Sequence, residues 1–208
     1  MGRARAWVSA ALAALLSACS PSPPPTLPTP SVGAELLGLT FQDDWIERWV
    51  GPARPLGGPG APRATLVRFW TDTCAYCRAS LPTLEQLRAE YGGRGLRVLA
   101  IHHPKPRRAA SDAAGKSDAE LRSLAAERGY HGALASDPHW HALERAWWGT
   151  GTRQATSASL LLDGQGRVRY VHPGPLLASE ALLGRASAPA ELAQLRLALD
   201  ALLGSEDR

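Results

Sequence analysis

The chain has 208 residues, of which 23 are Lys or Arg and 19 are Asp or Glu, and 45% of the residues are hydrophobic. This length favours one folded domain with a tail, and the composition excludes a disordered or fibrous chain. The formal charge of +4, with no long basic run, gives no indication of nucleic-acid binding. Three cysteines are too few for a disulfide scaffold.

The first residues have the pattern of an export signal. A basic head, Met1–Arg5, precedes an apolar run over 6–16, and small residues then lead to Cys19. The run is shorter than the roughly 20 residues that span a bilayer, so we expect a cleaved signal peptide over 1–18. The boundary resembles the lipobox of bacterial lipoproteins, which implies lipidation of Cys19 and a membrane anchor. An ordinary signal peptide with an incidental cysteine is the alternative.

A proline-rich stretch follows, with six of the chain's 17 prolines between Ser20 and Ser31. Such a sequence favours extended polyproline II and cannot bury a core. We therefore predict a lipidated tether over 19–31 and a folded domain over 32–208.

The folded part alternates strand and helix patterns. A short apolar strand is predicted over Thr65–Trp70, and leucines at helical spacing predict a helix over 76–91 that Pro82 is expected to kink. The other predicted elements are a strand over 96–101, helices over 117–128, from 137 and over 189–203, and a hairpin of 159–162 and 168–172. This order indicates an α/β fold with a mixed central sheet and helices on both faces.

The most informative feature is a Cys-X-X-Cys motif, Cys74 to Cys77, where the first strand turns into the helix. There the free N–H groups and the helix dipole stabilise a thiolate on Cys74, the expected nucleophile. Cys77, one turn deeper, is expected to resolve the mixed disulfide. A structural disulfide and half of a zinc site are the alternatives.

This stretch resembles the thioredoxin-like superfamily, and within it the TlpA-like and DipZ-like thiol:disulfide oxidoreductases. The residues that carry the resemblance are Phe69, Trp70, Cys74, Cys77, Leu81 and Pro82, followed by the hairpin Leu160–Val168.

The resemblance implies a thioredoxin-like fold and exchange of disulfides with protein thiols on the extracytoplasmic, periplasmic side of a membrane. The redox group it implies is a Cys74–Cys77 disulfide, so no further cofactor and no metal are expected. It also implies that Trp70, Thr156 and Ser157 bind the substrate, with Trp70 on an apolar rim that a partner meets.

Two residues depart from the family pattern. Ser157 stands six residues before Asp163, where the family has a cis-proline that shapes the substrate groove. Arg68 precedes the Phe-Trp pair, where relatives often have Asp or Asn. A cation at this position favours a thiolate, although pairing of Arg68 with Asp72 is an equally good interpretation.

Two further functions remain open at the level of the sequence. The first is a copper chaperone that uses the cysteines with His102 and His103, or with His139 and His141. The second is a non-catalytic binding module, in which Ser157 reflects lost activity.

Overall fold

The computed structural model describes residues 26–107, 115–150, 155–172 and 174–204. The predicted signal peptide, Cys19 and the first part of the predicted tether lie outside the described residues. Leu27 packs against the core and Pro30 is buried, so contacts with the domain begin before Val32. Within the described residues, no helix combines the length and the apolar character needed to cross a membrane.

Six strands and four α-helices organise the described residues. In chain order they are β1 (Arg48–Val50), β2 (Ala64–Trp70), α1 (Ala75–Tyr91), β3 (Leu96–His102), α2 (Asp118–Ala126), β4 (Ala133–Ser136), α3 (His141–Ala146), β5 (Ser159–Asp163), β6 (Val168–His172) and α4 (Ala188–Leu203).

The strands form one mixed sheet in the order β1-β4-β3-β2-β5-β6. β2, β3 and β4 are parallel, whereas β1 runs antiparallel to β4 and β5 runs antiparallel to β2. Every residue of β2 is buried, because this central strand is covered on both faces.

Alternate residues of β2 enter two different cores. Leu66 faces leucines of α1 and α4, and Val67 faces the other side of the sheet, where Leu143 of α3 packs. The prediction of an α/β fold with a mixed central sheet and helices on both faces is therefore confirmed.

The long elements were predicted within one or two residues, but two strands were missed. β1 has three residues and β4 has four, too few to show a strand pattern. The third helix also begins later than expected, because Asp137 accepts hydrogen bonds from the amides of Ala142 and Leu143 and thereby lies outside the helix. Pro82 is accommodated inside α1.

The sheet order brings the cysteine motif next to a distant loop. β2 leads directly into the loop before α1, and its neighbour β5 is preceded by residues 155–158. Phe69 donates its N–H to the carbonyl of Ala158, so this loop is fixed beside the end of β2.

Candidate active site

Cys74 and Cys77 lie at the start of α1, as predicted from the motif. Cys74 is the N-cap residue in an extended conformation and is partly exposed, whereas Cys77 is fully buried one turn into the helix. Both are free cysteines in this structure. The arrangement exposes one sulfur to a partner and keeps the other beneath it.

The two thiols have opposite proton affinities. The pKa of Cys74 is lowered to about 4 by hydrogen bonds from the Cys77 thiol and the Ser157 hydroxyl, and from the backbone amides of Cys77 and Tyr76. The pKa of Cys77 is raised, because its proton is held in the bond to Cys74 and because the group is buried. Cys74 is therefore a thiolate at neutral pH while Cys77 keeps its proton.

Ser157 contacts both sulfurs. Its Oγ lies 2.7 Å from Cys77 Sγ and 3.5 Å from Cys74 Sγ. The Thr156–Ser157 peptide bond is trans, and both residues are 5% exposed. A proline at this position has no hydroxyl, so this serine adds to the site a group that both donates and accepts a hydrogen bond.

Arg68 is completely buried on the inner side of the motif. Its guanidinium donates hydrogen bonds to Ser159 Oγ (3.0 Å), to Ser80 Oγ (3.2 Å) and to the carbonyl of Pro175. Burial lowers the pKa of Arg68, and the negative charge of the cysteines opposes that shift. The guanidinium thus acts electrostatically on both sulfurs.

The suggested pairing of Arg68 with Asp72 is wrong. Asp72 instead contacts His102 Nε2 at 3.1 Å and Lys116 Nζ at 3.4 Å. Residues 68 and 72 do not meet because Arg68 lies in the middle of the sheet, whereas Asp72 is in the loop beyond the end of β2.

Trp70 does not form an exposed rim. It is 1% exposed and belongs to the core that α1 and α4 cover, with its ring edge-on to His102 at 4.9 Å. The expected substrate contact through its side chain is therefore not available in this structure. Tyr76, within the motif, is partly exposed instead and reaches Leu183.

The histidines proposed as copper ligands lie in three different surroundings. His103 is buried between two backbone carbonyls, those of Pro104 and Thr156, and burial lowers its pKa to about 4. His102 contacts Asp72. His139 and His141 lie with Glu47, in the one group of metal-binding side chains found among the described residues, and this group contains no cysteine.

Sequence reasoning missed most of the groups around the sulfurs. Ser80, Ser159 and Pro175 reach Arg68 from α1, from β5 and from the segment after β6. The only signal for such a cluster in the sequence is the position of Arg68 inside an apolar strand, since a buried guanidinium needs acceptors.

Comparison with known proteins gives a related sequence. The chain is 31% identical over 116 residues to the thiol:disulfide interchange protein DsbE homolog of Paracoccus denitrificans (strain Pd 1222), which covers 56% of this chain. The match spans 54% of the relative, about half of its length. No family model matches the chain.

Solved structures match over more of the chain. A thiol-disulfide isomerase of Corynebacterium glutamicum superposes with a TM-score of 0.54 at 17% identity, covering 82% of this chain and 97% of the other. A hypothetical protein of Sinorhizobium meliloti 1021 gives 0.53 at 21% identity, covering 82% and 86%. The chain therefore has the thioredoxin-like fold and is similar to thiol:disulfide interchange proteins.

Proposed function

We propose that this chain is a thiol:disulfide oxidoreductase that exchanges disulfides with protein partners through Cys74 and Cys77. The observation that carries the proposal is the partly exposed Cys74 at the start of α1, hydrogen-bonded to a buried Cys77 thiol. An activated sulfur beside a protonated one is the arrangement that disulfide exchange requires. The similarity to a thiol:disulfide interchange protein supports the same conclusion.

In the first step the Cys74 thiolate attacks one sulfur of a partner disulfide. A bond forms between Cys74 and that sulfur, and the second partner sulfur leaves as a thiolate and takes up a proton. Cys74 loses its negative charge in this step. The hydrogen bond that keeps the proton on Cys77 is lost as well.

In the second step Cys77 resolves the mixed disulfide. Cys77 loses its proton, attacks Cys74 Sγ and releases the remaining partner sulfur, which leaves the Cys74–Cys77 disulfide. Two electrons pass to the partner, and the thiol pair itself is the redox group. Ser157 Oγ, within 3.5 Å of both sulfurs, is positioned to carry the Cys77 proton towards the departing sulfur. The reverse sequence oxidises a partner dithiol.

Arg68 sets the balance between the two redox states in this proposal. Its positive charge stabilises thiolates, and thiolates occur only in the reduced protein. Stabilising the reduced form makes the disulfide a stronger oxidant. The buried position limits screening by solvent, which would weaken the same charge at the surface.

We further propose that the domain works on the periplasmic side of a membrane, anchored by a lipid on Cys19. The support is the basic head, the short apolar run and the small residues before this cysteine. The proline-rich stretch before Leu27, the first residue that packs against the core, would hold the domain away from the bilayer.

The reactivity of Cys74 should follow its low pKa. We expect the alkylation rate of Cys74 in the reduced protein to be constant from neutral pH down to about pH 5, and to fall below its pKa of about 4, where the sulfur is protonated. Ser157→Ala should move this midpoint upwards by about one unit, because a donor to the thiolate is lost. Thr156→Val, which removes a neighbouring buried hydroxyl, is the control. Identical profiles for Ser157→Ala and wild type would contradict this role of Ser157.

The potential should depend on the charge of Arg68. Arg68→Met should make the reduction potential of the protein more negative, because the thiolates lose a cation. The shift is read from the equilibrium constant with glutathione, and each tenfold change in that constant corresponds to about 30 mV. Arg68→Lys keeps the charge and is the matched control. Equal potentials for the methionine and lysine variants, both shown to be folded, would mean that the charge of Arg68 does not set the potential.

The two cysteines should differ in trapping. Cys77→Ser is expected to accumulate partners as mixed disulfides on Cys74, since the attacking sulfur remains while the resolving sulfur is gone. Cys74→Ser should trap far fewer, because the remaining thiol is buried. The adducts are counted on non-reducing gels of cells that express each variant. Equal trapping by both variants, or by neither, would overturn the proposed roles.

Membrane attachment should depend on Cys19. Cys19→Ala is expected to leave the membrane fraction and appear in the soluble extracytoplasmic fraction, because the lipid acceptor is missing. Cys74→Ala, which keeps Cys19, should remain with the membrane. If Cys19→Ala and the parent fractionate identically, the lipid anchor is wrong.

A further inference from the structure

Glu47, His139 and His141 form a cluster that the disulfide chemistry does not use. Glu47 immediately precedes β1, His139 lies in the turn between β4 and α3, and His141 is the first residue of α3. Because Arg48 pairs with Ser136 in antiparallel strands, Glu47 lies opposite Asp137 and close to the turn that carries His139. One donor atom from each of the three side chains lies within 4.8 Å of the other two.

The backbone of Trp140 brings the two histidine rings together. Trp140 has a φ of 67°, in the left-handed region that a bulky residue rarely adopts, and it separates His139 from His141. The rings lie 5.7 Å apart between centroids as a result. The Trp140 indole is held in place by a hydrogen bond of 2.9 Å to the carbonyl of Pro104 and by edge-on contact with His103.

The orientation of Glu47 is fixed from two sides. Its Oε1 accepts the backbone N–H of His139 at 2.8 Å, and its carboxyl group is hydrogen-bonded to that of Asp137. Asp137 is held in turn by the amides at the start of α3. This leaves Oε2 directed at the imidazoles, 2.6 Å from His139 Nδ1 and 3.8 Å from His141 Nδ1.

These distances are close to those of a metal site. Bonds of about 2.0–2.1 Å in a tetrahedral arrangement place neighbouring donor atoms about 3.3 Å apart. The two observed separations of 2.6 and 3.8 Å lie on either side of this value. The donor atoms of the two histidines lie within 4.8 Å of each other, so side-chain shifts of about 1–2 Å would admit an ion between the three groups.

We propose that Glu47, His139 and His141 bind one divalent transition-metal ion of the class of Zn²⁺. Two imidazoles and one carboxylate are a donor set that Zn²⁺ accepts with a fourth position open to water. The ion takes the place of the hydrogen between His139 Nδ1 and Glu47 Oε2, and that proton is released. His141, whose side chain is 52% exposed, provides the path of entry.

The site is separate from the sulfurs and ties two parts of the fold together. Glu47 belongs to the segment that enters the edge strand β1, and the histidines belong to the start of α3. An ion bound there would join the start of the edge strand β1 to the start of α3. Because the metal binds only the folded arrangement, it should raise the thermal stability of the protein.

The test uses the full chain without a polyhistidine tag, with the Cys74–Cys77 disulfide closed and Cys19 then alkylated, so that no thiol can coordinate the metal. Titration with Zn²⁺ alone, followed by calorimetry, should show one equivalent bound, and Co²⁺ should give the absorption of a low-coordinate site. His141→Ala should weaken binding at least tenfold. This variant changes a largely exposed side chain, so its fold is expected to survive. His131→Ala, which removes an exposed histidine outside the cluster, is the control and should bind as wild type does.

Two results would overturn the site. One is the absence of stoichiometric binding to the oxidised wild type, which would leave the cluster as a hydrogen-bonded contact between Glu47 and His139. The other is an equal loss of affinity in His141→Ala and His131→Ala, which would indicate scattered surface histidines. Neither result bears on disulfide exchange, because Cys74 and Cys77 are joined in their disulfide throughout.

Discussion

The negative charge on Cys74 is the feature around which the neighbouring groups are arranged. A sulfur at a helix start, partly exposed, needs donors to remain ionised, and it receives them from the first amides of α1, from Cys77 and from Ser157. The spacing of the motif alone places the helix amides and the Cys77 thiol beside Cys74. Ser157 comes from the loop before β5, and it reaches the sulfurs because β5 pairs with β2 in the centre of the sheet.

The same charge accounts for a buried arginine that would otherwise be difficult to explain. Taking an unpaired guanidinium out of water costs several kcal/mol, and neutral acceptors recover only part of this cost. Ser80, Ser159 and Pro175 provide such acceptors, and the thiolate provides a negative charge. His172 is held neutral beside this cation, because burial and the charge of Arg68 lower its pKa to about 3. In the proposed mechanism Arg68 therefore couples the sheet interior to the redox state of the cysteines.

The sequence was sufficient for the groups that are close together along the chain. The strand, turn and helix around Cys74 lie within one continuous stretch, and a single buried strand followed by a helix start is enough to position both sulfurs. The hairpin with its Asp163 turn is equally local. Local hydrogen bonds and hydrophobic spacing decide such elements, so pattern reasoning succeeds there.

The parts that could not be predicted depend on pairing between distant segments. Arg68 meets Ser159 across 91 residues, and Glu47 meets His139 across 92. These contacts follow from the sheet order, and two of the strands that define it, β1 and β4, are too short to leave a pattern. Trp70 was misjudged for a related reason: proximity to the motif in sequence says nothing about which face of β2 a side chain occupies.

In the proposed mechanism, Arg68 also changes how protons move, because it stands where the thioredoxin-like sequences that this stretch resembles often have Asp or Asn. A carboxylate at this position could accept the Cys77 proton when the mixed disulfide is resolved, whereas a guanidinium has no acceptor and keeps its own protons. The Cys77 proton would then leave by another route, and the Ser157 hydroxyl, 2.7 Å from that sulfur, is placed to accept it. A proline would close this route, since it has neither donor nor acceptor in its side chain. In the proposed mechanism Arg68 and Ser157 are thus chemically complementary: the cation favours the resolving thiolate, and the hydroxyl provides the path for the proton that its formation releases.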